Sequence, residues 1–532
     1  MDALDRCELP PAAGTGAELL RARYIAQGES FLDAAEGRFA VAVLDRAAGR
    51  ALIARDGLGH ASLAYLLDGA RFAVASQEAA LVELPGVSRA LDATRLAEFF
   101  ANEELSGART FFRGLHALLP GEMLIVEGER VRRRELPRPS LEARLELPRF
   151  EDYVERFAEL LRESVARCLR GVEKAAVLTG GGLDSAPLAA HAARQLTAGG
   201  RANVTLLSWR VTDPAADESL YAEALAAALP ARLEWIDAHG AWPFAELERW
   251  PVHPSTPEQT AYRWLHERAY QRAARRGHRV VLAGFGGDAL YGHGERWFFH
   301  LLLAQGAGAA IDRLRRAARD LGWPRALRAH LLAPLLPRSR RLRRAPARYL
   351  TEAARHRLAA RPRWPPEVAR ARRPRQAERL LALLDGHGEQ VEAWYASAHG
   401  LEQRTPLRDF RLVEFALAVP DHVLGDGGET RAVLRAAVRG LVPEQIRARR
   451  GKADFRSLLL RGLEPERLGW ARARLRARDA LWRGTVEESA VARWLAGRFD
   501  GDAERVAFLH CLYGELWRER SPAAPRSGQP LD

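Results

Sequence analysis

The stretch from Val177 to Pro187, V-L-T-G-G-G-L-D-S-A-P, constrains the fold of this chain more than any other. Before it, Lys174 to Leu178 gives a short apolar run suited to a buried parallel strand. After it, Ser185 to Leu196 has helical composition: Ala-rich, without glycine, and with its one proline early enough for a first turn. A strand, three glycines and a helix opening on Asp184-Ser185 make an anion site. The glycines let the backbone approach closely, and the loop and helix N–H groups face an oxyanion. No Lys-Ser/Thr follows the glycines, which excludes a Walker A loop.

The pattern recurs downstream. Strand N-V-T-L-L-S-W, which carries Ser208, leads through V-T-D-P-A-A-D-E-S-L-Y-A into an alanine-rich helix. Strand H-R-V-V-L-A then ends in a second glycine turn, G-F-G-G-D-A-L-Y-G-H-G, from Gly284 to Gly294. Strands alternating with helices argue for an α/β fold, a doubly wound parallel sheet whose ligand site lies beyond the carboxyl ends of its strands. One G-x-G-G-D would be common loop punctuation; two strand-end glycine loops, each with an aspartate just after it, are a stronger signal. Asp184 and Asp288 together can hold one Mg²⁺ through hard carboxylate oxygens, whereas either alone reads as a helix N-cap.

Composition narrows the class. A chain of 532 residues, 47% hydrophobic and 28% charged, is long enough for two or three globular domains. Its three cysteines, Cys7, Cys168 and Cys511, are far apart, which argues against a zinc site or a disulfide framework and fits a reducing cytoplasm. No apolar run reaches spanning length and the N-terminus has no signal-peptide core, so no membrane is expected. The net charge of +13 is carried mostly by arginine; it serves either an acidic partner or, the favoured reading, solvated faces.

Residues 1–135 read as a mostly β domain, with antiparallel runs at G-R-F-A-V-A-V-L-D and A-L-I-A-R-D, further strands from Arg71 and near Met123, and a helix near Leu91 to Asn102. Residues 136–148, rich in Pro and charge, read as a linker. The α/β domain spans 149–520, opens with a helix from Phe150 to Leu169 and includes a basic helical region at 296–390, whose densest run is L-P-R-S-R-R-L-R-R-A-P. Residues 521–532 have a disordered composition.

These motifs carry a resemblance. The first glycine loop resembles the pyrophosphate loop of ATP pyrophosphatases, S-G-G-x-D-S, with Gly180 where that pattern has its first serine and Thr179 just before it. The N-terminal pieces G-R-F-A-V-A-V-L-D, A-R-D-G-L-G-H, F-A-V-A-S-Q-E-A-A-L and T-F-F-R-G-L-H-A-L-L-P-G-E resemble the Ntn-type glutaminase half of the asparagine synthetase family. The runs Gly400 to Pro420 and Glu429 to Phe455 resemble the close of its synthetase half, matching at Glu402, Arg404, Pro406, Asp409, Arg435, Arg450, Lys452 and Phe455. Leu407 stands for a phenylalanine and Arg431 for a frequent lysine. A working glutaminase of the family uses an N-terminal cysteine, where this chain has Asp2, and Gln77 stands for a glutamate. The resemblance therefore implies a degenerate glutaminase-like domain.

It also implies the chemistry: a carboxylate attacks the α-phosphorus of ATP, pyrophosphate leaves, and a nitrogen nucleophile captures the acyl-adenylate. The implied cofactor-binding residues are Thr179, Gly180, Gly181, Gly182, Asp184, Ser185, Ser208, Gly284, Gly286 and Gly287, with ATP and Mg²⁺, the metal on Asp184 and Asp288. The catalytic candidates are Lys452, Glu402, Asp184 and Asp288. Lys452 would stabilise charge, and Glu402 either orients the amine and accepts its proton or pairs with Arg404. Between Gly284 and Gly286, ammonia-using relatives tend to have Glu and β-lactam formers Tyr; Phe285 can neither accept a proton nor donate a hydrogen bond. That leaves a lasso peptide macrolactam synthetase as the best fit. Its expected partners are a precursor peptide, a leader peptidase and a leader-binding protein, with no nucleic acid. The rivals are an asparagine or β-lactam synthetase, a tRNA-modifying pyrophosphatase, and an inactive scaffold, the last motivated by Gly180, Phe285 and Ala289.

Overall fold

Five short parallel strands organise the larger part of the molecule: β8 (Ala175–Leu178), β9 (Val204–Arg210), β10 (Arg232–Asp237), β11 (Val280–Leu282) and β12 (Glu402–Arg404). The computed structural model describes residues 16–525 apart from 70, 104–106, 198–202, 240–241, 261, 293–296, 333–346, 361–367, 369, 372, 386–387, 426–429, 452, 462 and 464–468. The strands lie in the order β10-β9-β8-β11-β12, every neighbouring pair parallel. Sequence order reverses between β8 and β11, which is the switch point where open α/β sheets bind ligands.

Both faces of this sheet are covered. Ala175, Val177, Leu206 and Leu282 point into a core with the helices Phe150–Cys168, Ser185–Leu196 and Phe410–Ala418. Ala176, Leu178, Leu207 and Val281 face the helices Arg263–Arg275 and Gly388–Ser397. Burial on both sides explains why β8 is continuously apolar rather than alternating.

The N-terminal part holds two antiparallel sheets. One has the order β1 (Ala40–Asp45), β2 (Arg50–Arg55), β6 (Glu122–Glu127), β7 (Arg130–Glu135); the other joins β4 (Arg71–Ala75), β3 (Ala64–Asp68) and β5 (Leu115–Ala117). Ile53, Tyr65 and Leu124 pack between them, and Leu52, Ala54, Met123 and Ile125 turn the other way, onto the helix Gly16–Gln27. That helix falls in a stretch whose sequence is weakly patterned.

Two segments differ from their composition. Residues 136–148 are docked, not free: Leu145 N–H donates to Ala418 O (3.0 Å), and Leu141, Leu145 and Leu147 pack on the parallel-sheet core. The first five residues of the tail are packed as well, with Ala523 and Ala524 buried and Ser521 Oγ donating to Pro254 O (2.7 Å). Both were apolar enough to be held once a neighbouring surface existed. The run L-P-R-S-R-R-L-R-R-A-P lies wholly outside the described residues. Among the described arginines of the basic region, Arg373 is buried against Asp421 and the Ala416 and Val419 carbonyls, an internal strut rather than a contact surface. No helix of the described residues is long and apolar enough to cross a membrane.

Candidate active site

The two glycine loops leave neighbouring strands β8 and β11 at their carboxyl ends, so they flank the switch-point crevice. In the first, Thr179 is buried; its Oγ1 accepts from Gly181 N–H (2.9 Å) and lies 2.8 Å from Ser185 Oγ. Gly181 has φ +72°, which only glycine adopts without strain, and a methyl there would strike the Tyr221 backbone. Gly180 has a different reason: a Cβ would collide with the Glu218 carboxylate, which fills the space a serine would need. Glu218 is in turn paired with Arg449 (2.8 Å), whose guanidinium lies 4.1 Å from the Tyr221 ring centroid. The charge beside the loop is thereby balanced.

Asp184 precedes the helix Ser185–Leu196 but makes no side-chain cap. Its Oδ1 accepts from Arg431 Nη1 (2.8 Å), and Arg431 Nη2 reaches Asp288 Oδ1. The two loop aspartates thus converge on one guanidinium. Arg431 is held there with φ +61°, its N–H donating to Gly292 O (2.8 Å). Gly284 and Gly287 lie so close to Asp184 that a side chain at Gly287 would strike its carboxylate, and Gly286, at φ +89°, opens the short helix Gly287–Tyr291 that carries Asp288. Ser208 sits on β9 beside the first loop, its buried hydroxyl without a hydrogen-bond partner among the described residues. A pair of carboxylates sharing a cation, next to an orphaned hydroxyl and three loop glycines, fits a metal-bound polyphosphate.

A family model described as asparagine synthase matches residues 156–517, more than half of the chain. The chain belongs to the asparagine synthase family. A second model, a glutamine amidotransferase domain, matches residues 10–136 of this asparagine synthase family member. A Bacillus subtilis protein named asparagine synthetase [glutamine-hydrolyzing] 3 is 29% identical over 191 residues, 35% of this chain and 30% of that protein. The match therefore spans under a third of the Bacillus protein's length.

Not every candidate joins the crevice. In the synthase domain β12 begins at Glu402, which pairs with Val280, the first residue of β11. That is the end of the sheet opposite to the one from which the glycine loops spring. Glu402 is half-exposed and bonded to Arg404 Nη2 (2.8 Å). Burial pushes its carboxyl up, but the Arg404 hydrogen bond and charge outweigh this and hold it below the ordinary value. Of its two roles, the structure favours the ion pair. Lys452 lies outside the described residues; on either side of it, Arg449 meets Glu218, and Asp454 N–H donates to Ala215 O (2.8 Å).

Gln77, in the amidotransferase-like part, is tied into a seam: its Nε2 donates to Ser62 Oγ (3.3 Å), and its Oε1 accepts from Ser255 Oγ (3.3 Å). The A-R-D-G-L-G-H segment is also occupied structurally. Arg55 donates to the carbonyls of Gly59, Ala61 and Leu118, and buried Asp56 accepts from several N–H groups of the turn. Gln390 and Arg408 of the synthase domain donate to Gly59 O and Leu58 O.

Sequence reasoning missed three features here. The Glu218–Arg449 pair, the bridging by Arg431, and a histidine on the helix Arg263–Arg275 all come together from distant segments. His266 Nδ1 lies 3.0 Å from Glu392 Oε2, and the Tyr270 hydroxyl lies 3.1 Å from the same oxygen. The His266 ring stands 6.0 Å from Phe285, edge to face. The one available signal was the D-E-S that follows the second strand of the sheet, an acidic residue at a loop otherwise suited to anions.

Proposed function

We propose that this chain is an ATP-dependent, AMP-forming carbon–nitrogen ligase. The observation that carries the reading is the convergence of Asp184 and Asp288 on one cation at the switch point of the parallel sheet. A carboxylate oxygen attacks the α-phosphorus of ATP and pyrophosphate leaves. An amine then attacks the acyl carbon, AMP departs with the bonding electrons, and the nitrogen loses a proton. Asp184 and Asp288 would hold Mg²⁺, which would neutralise charge on the phosphates. The N–H groups of Gly180 to Gly182 and the Ser185 hydroxyl grip pyrophosphate, and Ser208 offers its unpartnered hydroxyl to the nucleotide. Arg431 bridges the paired carboxylates. Lys452 stabilises the departing charge.

The finer reading is closure of a macrolactam: a side-chain carboxylate of Asp or Glu in a precursor peptide is joined to that peptide's own α-amine, as in lasso peptides. Phe285 supports it, since this position offers neither the carboxylate of ammonia users nor the phenol of β-lactam formers. Gln77, engaged with Ser62 and Ser255, supports an amidotransferase-like domain kept for its structure. A leader peptidase and a leader-binding protein would deliver the peptide, and the reaction suits the cytoplasm. The test is direct. Synthetic peptides with a free α-amine and one internal Asp or Glu, given ATP and Mg²⁺, should lose the mass of one water as AMP appears. Conversion of aspartate and ammonia to asparagine, or of a small β-amino acid to a β-lactam, would instead assign it to those chemistries.

A further inference from the structure

We infer that His266, oriented by Glu392, accepts the proton that the amine loses as the amide forms. The inference rests on the ligase reading, because only that reaction has an amine to deprotonate. His266 lies in the first turn of the helix Arg263–Arg275, which follows β10 and returns to β11, so this turn sits at the carboxyl ends of the strands. Trp209, near the end of β9, donates from Nε1 to Leu265 O (3.2 Å), and its ring is 6.3 Å from that of His266. On the other side stands Phe285, 6.0 Å away at an interplanar angle of 66°. Phe285 belongs to the second glycine loop, and its neighbour Gly284 abuts Asp184. The imidazole therefore stands beside the loop that leads into the short helix carrying Asp288.

The chemistry of the ring follows from its partners. Glu392 is buried; burial pushes its carboxyl up, but His266, with Arg263 and Tyr270, more than offsets this and keeps it ionised. A carboxylate 3.0 Å from Nδ1 accepts a hydrogen from it, so in the neutral ring the lone pair lies on Nε2. Nε2, on the far side of the ring, has no partner among the described residues, and the side chain is 16% exposed. A carboxylate–imidazole pair with a free Nε2 is a general base. The other candidates are worse placed: Phe285 has no basic atom, Glu402 is at the wrong end of the sheet, and Asp184 and Asp288 are engaged by Arg431. In the step itself, the amine nitrogen bonds to the acyl carbon, AMP leaves with the electron pair of the broken C–O bond, and the N–H proton passes to Nε2.

The test separates the two half-reactions. With the synthetic peptide that best supports ATP–pyrophosphate exchange, His266→Gln should leave exchange within about twofold of wild type, since adenylation does not use the base. Cyclised product should fall about 10²- to 10⁴-fold, while hydroxylamine still traps the acyl-adenylate as hydroxamate. His266→Ala should show the same split, with cyclisation partly restored by added imidazole. Equal loss of exchange and cyclisation, or unaltered cyclisation, overturns the role of His266. Absence of exchange in the wild-type protein with every peptide overturns the ligase reading itself.

Discussion

Gly180 and Glu218 are one structural unit: the absent side chain of the first makes room for the carboxylate of the second. Gly180→Ser should therefore destabilise the protein by roughly 1–3 kcal/mol, the usual cost of overpacking, as read by urea denaturation. Glu218→Ala in the same chain should recover most of the loss; no recovery would mean that the collision is not the cause. A serine introduced without that relief should also not improve phosphate binding. Arg431 offers a second test. On the proposed metal-binding role of Asp184 and Asp288, Arg431 competes with the ion, so Arg431→Gln should tighten nucleotide-free Mn²⁺ binding by about tenfold, or about 1.4 kcal/mol, in electron paramagnetic resonance titrations. Weaker or unchanged Mn²⁺ binding would show that Arg431 organises the pair rather than occupying its place.

The elements differ in how far they could be read from sequence. The strand, glycine loop and helix at Val177 to Leu196 were legible because local rules agree there: an apolar run, three glycines and an alanine-rich segment each specify one conformation. Glu402 was not, because its placement depends on which end of a three-residue strand it occupies, a matter of register against β11. His266–Glu392 was invisible for a similar reason: the residues are far apart in sequence, and neither carries a motif. The helix Asp502–Arg520 gives a pH prediction at this scale. Burial pushes its Glu515 up to about 7, despite Arg518 beside it and the N–H of Leu481. A carboxyl raised in the folded state favours folding fully below its unfolded value near 4.5 and loses that contribution as pH rises through 7. Across that window, wild type should lose on the order of 3 kcal/mol relative to Glu515→Gln, measured by chemical denaturation at pH 5 and pH 8. A difference independent of pH would contradict it.

At the scale of the molecule, the two ends of the chain share a core. Leu66, Phe99, Phe100 and Phe112 from the amidotransferase-like part pack with Phe508, Leu512 and Trp517 of the C-terminal helix. The linear division of the sequence into two halves could not show this, since a contact between residues near 100 and 510 leaves no local pattern. Trp517→Ala, removing a ring 6.0 Å from Phe112 and 6.2 Å from Phe111, should cost about 3–5 kcal/mol. It should make residues 16–136 more sensitive to protease as well; cleavage confined to the C-terminal helix would contradict a shared core. The amidotransferase-like part is thus a wall of the same fold that holds the switch-point crevice. The most direct measurement is ATP–pyrophosphate exchange with Asp- or Glu-containing peptides, compared between wild type and Asp184→Asn. Wild type should show exchange that depends on peptide and Mg²⁺, and the variant should fall at least about 100-fold. Exchange that survives Asp184→Asn unchanged would contradict it.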